Sequence, residues 1–277
     1  YKDNPAELIF DDFEEQLFGD QPIGRNILGT AGSVRSFTAG KIRNFISGNY
    51  STDQMVFASV GDISDRKILN LFNRYFGDIP KKNLPDKPAE NLVYKPSRVT
   101  KKLDTYQNHC IIGNIAYDLR DRHRMGMFLL NNILGGQGLN SRLNLSLREK
   151  NGFAYNVESN YNPYCDTGVF SIYFGTDSEN LGKSIAIAER ELGRLKTTPL
   201  GTIQLGKAKN QIKGYLARGY ENHESLMLSL GKSLLVFNRI DTPEEISGKI
   251  DRVTSSEIMD IANEVFDNSR LSMLIYK

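Results

Sequence analysis

TAGKIRNFISGNYSTDQMVFASV, residues 38–60, and TSSEIMDIANEVFDNSRLSMLIY, residues 254–276, follow one pattern in one register. In the first, Thr38-x-x-x-Ile42-x-x-Phe45-Ile46-x-x-x-Tyr50 leads into an apolar run at Met55. In the second, Thr254-x-x-x-Ile258-x-x-Ile261-Ala262-x-x-x-Phe266 leads into one at Leu271. The interval is 216 at every pair, as from Thr38 to Thr254. A threonine before the first apolar position caps a helix, and apolar residues three and four apart form one helix face. A short apolar run closed by turn residues reads as a buried strand. Two such units in one register predict a duplicated domain. Chance recurrence is the competing explanation, because capped amphipathic helices before strands are common.

Working outward, residues 4–19 predict a helix, with Leu8, Phe10, Phe13 and Leu17 apolar, Pro5 near its start and Gly19 as its stop. A loop (residues 20–32), a helix over 36–50, a strand over 54–60 and a helix over 64–76 follow. Between Gly77 and Pro96 lie Pro80, Pro85, Pro88 and Pro96 with several lysines, which predicts an extended linker. The expected division is therefore 1–79, the rear part of a first copy, 80–97, the linker, and 98–277, a complete second copy. Within the latter, strands are expected over 109–117, 153–161, 168–175 and 271–276. Helices are expected over 122–134, 140–150, 178–196, 202–221 and 224–237, with shorter ones from Pro243 and Thr254. If the second copy begins near 98, the first begins on the order of 118 residues before Tyr1, so the chain reads as a piece of something longer.

Composition narrows the function classes. With 35 Lys+Arg against 33 Asp+Glu the net charge is +2, which argues for neither a nucleic-acid nor a membrane partner. No apolar run approaches the roughly 18–20 residues of a membrane span. Two cysteines cannot build a disulfide framework. The histidines are His109, His123 and His223, and His223-Glu224 lacks a second histidine four residues on, so no resident zinc site assembles from this sequence. His109 reads as structural, Cys110 as a buried small hydrophobe, and Cys165 as a turn residue. Asp11, Asp12, Glu14 and Glu15 read as the solvated face of the first helix. The basic stretch 95–102 lacks interleaved aromatics and reads as solubilising rather than as a single-strand nucleic-acid site. Gly135-Gly136-Gln137-Gly138 reads as a tight turn needing positive φ, in preference to an anion cradle. Arg148 at a helix end and Tyr155 in the next strand form a pair able to anchor a peptide carbonyl or carboxylate, although such a pair is more often structural.

Leu134-Gly135-Gly136-x-Gly138-x-x-Ser141-Arg142-Leu143, continuing through Leu147-Arg148-Glu149-Lys150-x-Gly152-x-Ala154-Tyr155, closely resembles the pitrilysin/insulinase family. These zinc peptidases carry an inverted H-x-x-E-H motif, and mitochondrial processing peptidase is among them. Pro22-Ile23-Gly24-Arg25-x-Ile27-Leu28-Gly29, Tyr50 through Val60-Gly61-Asp62, and Gln107-x-His109-x-x-x-Gly113 agree as well, so the resemblance spans essentially the whole chain.

The resemblance implies an α+β fold of duplicated domains, each a mostly antiparallel sheet covered by helices, with the first copy truncated at its N-terminus. It implies that the zinc ligands and general base precede the segment matching Tyr1 onward. No catalytic residue and no metal site then lie in this chain, and zinc belongs to the longer protein or to a partner. Arg148 and Tyr155 match an arginine and a tyrosine that reach across a closed chamber to the substrate backbone. His109 matches a family histidine to which no catalytic role is given. The implied function is the substrate-binding C-terminal portion of a zinc metalloendopeptidase. There zinc lowers the pKa of a bound water, a glutamate takes its proton, and the peptide adds as a strand to a sheet edge. The implied partners are a peptide substrate and an N-terminal peptidase domain in the same or a partner chain, in a homo- or heterodimer. The alternative is a non-catalytic partner subunit of a two-chain peptidase that lacks the zinc motif altogether. A scaffold unrelated to proteolysis is a third.

Overall fold

The computed structural model describes residues 3–83 and 92–277. The middle of the expected linker, 84–91, lies outside the described residues. Two compact units emerge, and they do not follow chain order: one comprises Tyr1–Leu28, Ala89–Ile212 and Ser247–Lys277, the other Gly29–Pro88 and Lys213–Ile246.

The first unit is built on a sheet of β1 (Arg98–Lys101), β2 (Asn108–Ala116), β3 (Ala154–Pro163), β4 (Gly168–Thr176) and β5 (Ser272–Tyr276). Their order is β1-β5-β2-β4-β3. β1 runs parallel to β5, while β2 is antiparallel to β4 and β5, and β3 to β4. β2 and β4 read as continuous apolar runs because both their faces are covered. Towards one face, Cys110, Ile112, Phe170, Ile172 and Phe174 pack with α5 (Arg124–Gly135), α6 (Leu181–Thr197) and α10 (Ser255–Val265), through Met127, Leu130, Leu192, Ile258 and Ile261. Towards the other, Ile111, Tyr173, Leu274 and Tyr276 meet Ile9, Phe13 and Leu17 of α1 (Pro5–Phe18). Gly113 is glycine for this reason: a Cβ there would lie 3.0 Å from the Phe13 ring and would also strike the β4 backbone. Helix α1, read from chain order as part of the front segment, thus packs on the sheet of the rear one.

The acidic run of α1 is not simply a solvated face, which corrects the sequence reading. Asp12 accepts the Tyr276 hydroxyl at 2.7 Å and pairs with Lys101 at 2.5 Å, and Glu14 accepts the Tyr164 hydroxyl at 2.8 Å. Burial, offset in part by the Tyr164 bond, pushes the Glu14 carboxyl above its usual range. The two carboxylates flank Phe13 of the apolar stripe and meet Tyr276 of β5 and Tyr164 just beyond β3.

The second unit carries α2 (Ala31–Arg35), α3 (Ala39–Asn49), α4 (Asp65–Phe76), the rear of α7 (Thr202–Glu221) and α8 (His223–Phe237). α9 (Pro243–Arg252) spans the boundary in sequence. The expected strand over 54–60 is not formed. Met55 has an extended backbone, φ −121° and ψ 135°, but among the described residues nothing pairs with the segment, and a strand is defined by its ladder. Phe57 instead joins Phe72 and Phe76 of α4, with ring centroids 5.4 and 6.1 Å away. Position 231 of α8 faces Val56 and Ala58 and is glycine; a Cβ there would already touch Ala58 at 3.4 Å.

The two helices of the repeated pattern both form, over Ala39–Asn49 and Ser255–Val265, eleven residues each and in the same register. Thr38 Oγ1 accepts from the Lys41 amide at 3.2 Å, and Thr254 Oγ1 from the Glu257 amide at 3.1 Å.

Candidate functional site

Arg148 and Tyr155 lie on either side of one helix-to-strand turn, and the chain around them is irregular in two places. Residues Asn144–Glu149 form a π-helix, wound wider than an α-helix, with the Lys150 amide donating to the Leu145 carbonyl at 3.1 Å. Such turns mark functional positions more often than ordinary helix does. Leu143 and Leu147 are fully buried and anchor the segment in the core, which leaves Arg148 facing outward. Its Nε lies 3.8 Å from a Glu149 carboxylate oxygen, with both side chains about half-exposed, so this pair leaves the guanidinium free to engage a ligand.

The second irregularity is a β-bulge. Ala154 pairs with Thr176 and Val157 with Phe174, so Tyr155 and Asn156 together oppose Gly175 alone. The extra residue breaks the in–out alternation and turns Tyr155 to solvent, where it is 83% exposed on an otherwise half-buried edge strand. Edge position and bulge together present the phenol beyond the sheet.

The intervening turn is held tightly. Gly152, at φ +63°, makes the reversal that a residue with a Cβ would resist. Its amide donates to the Arg148 carbonyl at 3.0 Å, and the Phe153 amide to the Leu147 carbonyl at 2.9 Å. Asn151 Nδ2 donates to the Ser146 carbonyl at 2.6 Å, and Thr176 Oγ1 to the Phe153 carbonyl, also at 2.6 Å. Sequence reading passed over Asn151 and Thr176. Thr176 lies on β4, and only the β3–β4 register brings it to the turn. The result is a guanidinium and a phenol carried outward from a rigid turn, a pairing that supplies donors to a carbonyl or carboxylate without a large ordering cost.

The neighbouring glycines act by close approach, not by backbone hand. None of Gly135, Gly136 and Gly138 has positive φ, against expectation. A Cβ on Gly135 would come within 2.7 Å of the Ser159 amide nitrogen of β3, so the glycine lets α5 end directly on that strand. No anion cradle is needed to account for it.

The other polar candidates are occupied structurally. His109 is 4% exposed, its Nδ1 is 2.8 Å from the Tyr173 hydroxyl, and burial holds its pKa below the ordinary histidine value. Tyr173 is pushed up to about 12 by burial and by Glu158. His123 pairs with Asp121 at 3.2 Å. Cys110 is wholly buried and its thiol is raised by desolvation, whereas Cys165 is exposed. Among the described residues no three of His, Cys, Asp and Glu gather as the ligands of a metal ion would, and no helix is long and apolar enough to cross a membrane.

The chain is similar to several known proteins over most of its length. An uncharacterized zinc protease of Bacillus subtilis is 28% identical over 99% of this chain, and the chain spans 66% of that protein. One from Streptomyces coelicolor is 30% identical over 95% of this chain, which covers 59% of its length. Among solved structures, a peptidase M16 inactive domain from Pseudomonas fluorescens superposes with a TM-score of 0.88 at 22% identity, over 99% of this chain and 66% of that one. A chain of Complex III from Candida albicans does so with 0.86 at 14% identity, over 99% and 67%. The family model described as the peptidase M16 inactive domain matches residues 36–212. The chain belongs to the M16 peptidase family, matching the domain of that family described as inactive.

Proposed function

We propose that this chain is the substrate-holding, non-metal-binding portion of a zinc-dependent endopeptidase that hydrolyses peptides in a closed chamber, with Arg148 and Tyr155 gripping the peptide backbone. The observation that carries this reading is the exposed guanidinium and phenol on one pinned turn, in a chain whose relatives are named zinc proteases. The side chains described do not form a zinc ligand set. Zinc would belong to the remainder of the longer protein or to a partner chain. What these residues do is bind and orient: the guanidinium donates to a peptide carbonyl or terminal carboxylate, and the phenol hydroxyl donates beside it. On this reading residues 98–277 are a complete copy of the domain, 80–97 a linker and 1–79 the rear part of its twin, and α1 reaches from the twin onto the complete copy's sheet.

The test is Arg148→Ala and Tyr155→Phe in the longer protein, assayed by hydrolysis of a fluorogenic peptide. Arg148→Ala is expected to lower kcat/KM by about tenfold or more, since it removes a charged hydrogen bond of about 1.5–3 kcal/mol to bound substrate, and Tyr155→Phe by about two- to tenfold, since it removes a neutral one of about 0.5–1.5 kcal/mol. Unchanged kcat/KM in both variants would remove the role. A second reading is a non-catalytic partner subunit. It requires the longer protein to lack zinc and to hydrolyse nothing until a second subunit is added.

A further inference from the structure

The carboxylate of Glu191 on α6 is buried and crowded by cations. Arg194 donates to it at 2.8 Å, and Arg190 lies 4.0 Å away. Arg142, at the start of the helical segment that widens into the π-helix, comes within electrostatic reach of Glu191 and Arg194. Among the described residues, however, its guanidinium has no hydrogen bond or ion pair. Burial pushes the Arg142 pKa below the ordinary arginine value; Glu191 opposes the shift and Arg194 adds to it. A half-buried guanidinium of this kind is costly, because part of its five-donor fork has lost water without gaining an acceptor. The cations continue along the helix. Lys183, Arg190 and Arg194 are seven and then four residues apart and fall on one face of α6. That face is open: Gly182 and Gly193 lie beside it, and a Cβ on either would meet nothing within 4 Å. The other carboxylate of α6, Glu189, is engaged by Arg98 at 3.6 Å. At its near end Lys183 stands over the Phe153 ring, Nζ 5.4 Å from the centroid and two residues before Tyr155.

We propose that Lys183, Arg190 and Arg194 of α6, together with Arg142, bind an extended acidic stretch of polypeptide, whose carboxylates take the donors that Glu191 leaves unmet. Spacing selects the shape of the ligand. On a helix, Arg190 and Arg194 stand about 6 Å apart along the axis, and Lys183 and Arg194 about 16 Å. Alternate side chains of an extended chain recur at about 6.5–7 Å, so acidic residues at i and i+2 meet Arg190 and Arg194, and about five residues reach Lys183. Carboxylate is favoured over phosphate because these arginines already grip one carboxylate, and because the Glu191 charge penalises a dianion more than a monoanion. A net charge of +2 lacks the basic excess of a nucleic-acid binder. The Lys183–Phe153 stack sets the acidic stretch next to the turn of Arg148 and Tyr155. That the stretch belongs to the peptide held there rests on the function proposed above; binding by the face itself does not.

The experiment is fluorescence anisotropy of a labelled peptide with glutamate at alternate positions, titrated with the 277-residue chain beside the same peptide carrying glutamine. The glutamate peptide is expected to bind at least about tenfold tighter and to weaken as salt is raised. Arg142→Gln should weaken it about tenfold, because its donors are half-buried, and Arg190→Gln and Lys183→Gln about two- to fivefold each, as exposed pairs do. All three substitutions leave Glu191 bonded to Arg194, so the fold is expected to hold, with Tm as the check. Equal binding of the two peptides overturns the inference, as does unchanged affinity in the Arg142→Gln, Arg190→Gln, Lys183→Gln triple variant. Inorganic phosphate or a single-stranded oligonucleotide that binds more tightly than the glutamate peptide, and is lost in the triple variant, overturns it too. Glutamate-selective binding without hydrolysis by the longer protein upholds the face and sinks the peptidase reading. Hydrolysis that depends on Arg148, with no glutamate-selective binding, does the reverse, so the two fail separately.

Discussion

Helices α5 and α10 touch at Gly126 and Ile261, and the contact predicts a sign reversal. A Cβ on Gly126 would collide with Ile261 Cδ1 and lie 3.2 Å from a Glu257 carboxylate oxygen. Ile261 is 1% exposed in the main core and has little room to yield. Ile261→Ala removes three buried carbons at about 0.8 kcal/mol each and leaves a cavity, a loss of about 2–5 kcal/mol. Gly126→Ala alone sets an overpacking cost of about 1–3 kcal/mol against a helix-propensity gain of about 1 kcal/mol, for a net loss of about 0–2 kcal/mol. In the Ile261→Ala background the collision is gone, the new methyl enters the cavity, and the same substitution becomes stabilising by about 1 kcal/mol. The coupling is therefore about 1–3 kcal/mol. Urea unfolding of the four proteins, followed by tyrosine fluorescence because the chain has no tryptophan, measures it. Additivity within about 0.5 kcal/mol would show that the helices do not meet at this pair.

Three shorter expectations follow from burial. Glu14 has a raised carboxyl pKa in the folded chain, so the folded state holds its proton more tightly than the unfolded one. Stability is therefore lost as pH rises from the unfolded value of 4.5 through the raised folded value, and Glu14→Gln should remove that part of the slope; parallel pH profiles for the two proteins would contradict it. A thiol reagent should modify Cys165 quickly and Cys110 only on unfolding, and rapid reaction at both would refute the packing of β2. Tyr155→Phe should leave stability within about 0.5 kcal/mol of the parent, because the ring is 83% exposed; a larger drop in Tm would assign Tyr155 to structure rather than to binding.

The strongly patterned elements were legible because their own residues carry the signal, an apolar stripe at helical spacing in the helices and an unbroken apolar run in the strands covered on both faces. α1, α3, α10 and the apolar runs of β2 and β4 all fall where spacing put them. Three elements escaped for physical reasons. β1, Arg98–Lys101, is a polar edge strand with only Val99 partly buried, and strands at edges carry charge instead of alternation. α2, five residues long, is set by a capping box in which Thr30 and Ser33 bond reciprocally, a signal too local for periodicity to register. The segment 54–60 had the composition of a strand, but composition does not supply a neighbour. At the site, Arg148 and Tyr155 stand out through the resemblance of their segment to a family pattern, since spacing alone reads such a pair as structural. The π-helix, the bulge and the Thr176 bond could not, because each depends on register with a distant strand or on packing of Leu143 and Leu147.

The order of the sheet also dictates when it can exist. β5, residues Ser272–Tyr276, is threaded between β1 and β2, which precede it by well over a hundred residues. While a ribosome is still making the helices after β4, β1 has no partner to hold it and one flank of β2 stays bare. The sheet of this unit closes only after Tyr276 has left the exit tunnel, so it forms late and slowly by contact order. A nascent chain stalled with Leu271 still inside the tunnel should be held by chaperones and digested readily, whereas one with Lys277 already outside it should resist protease.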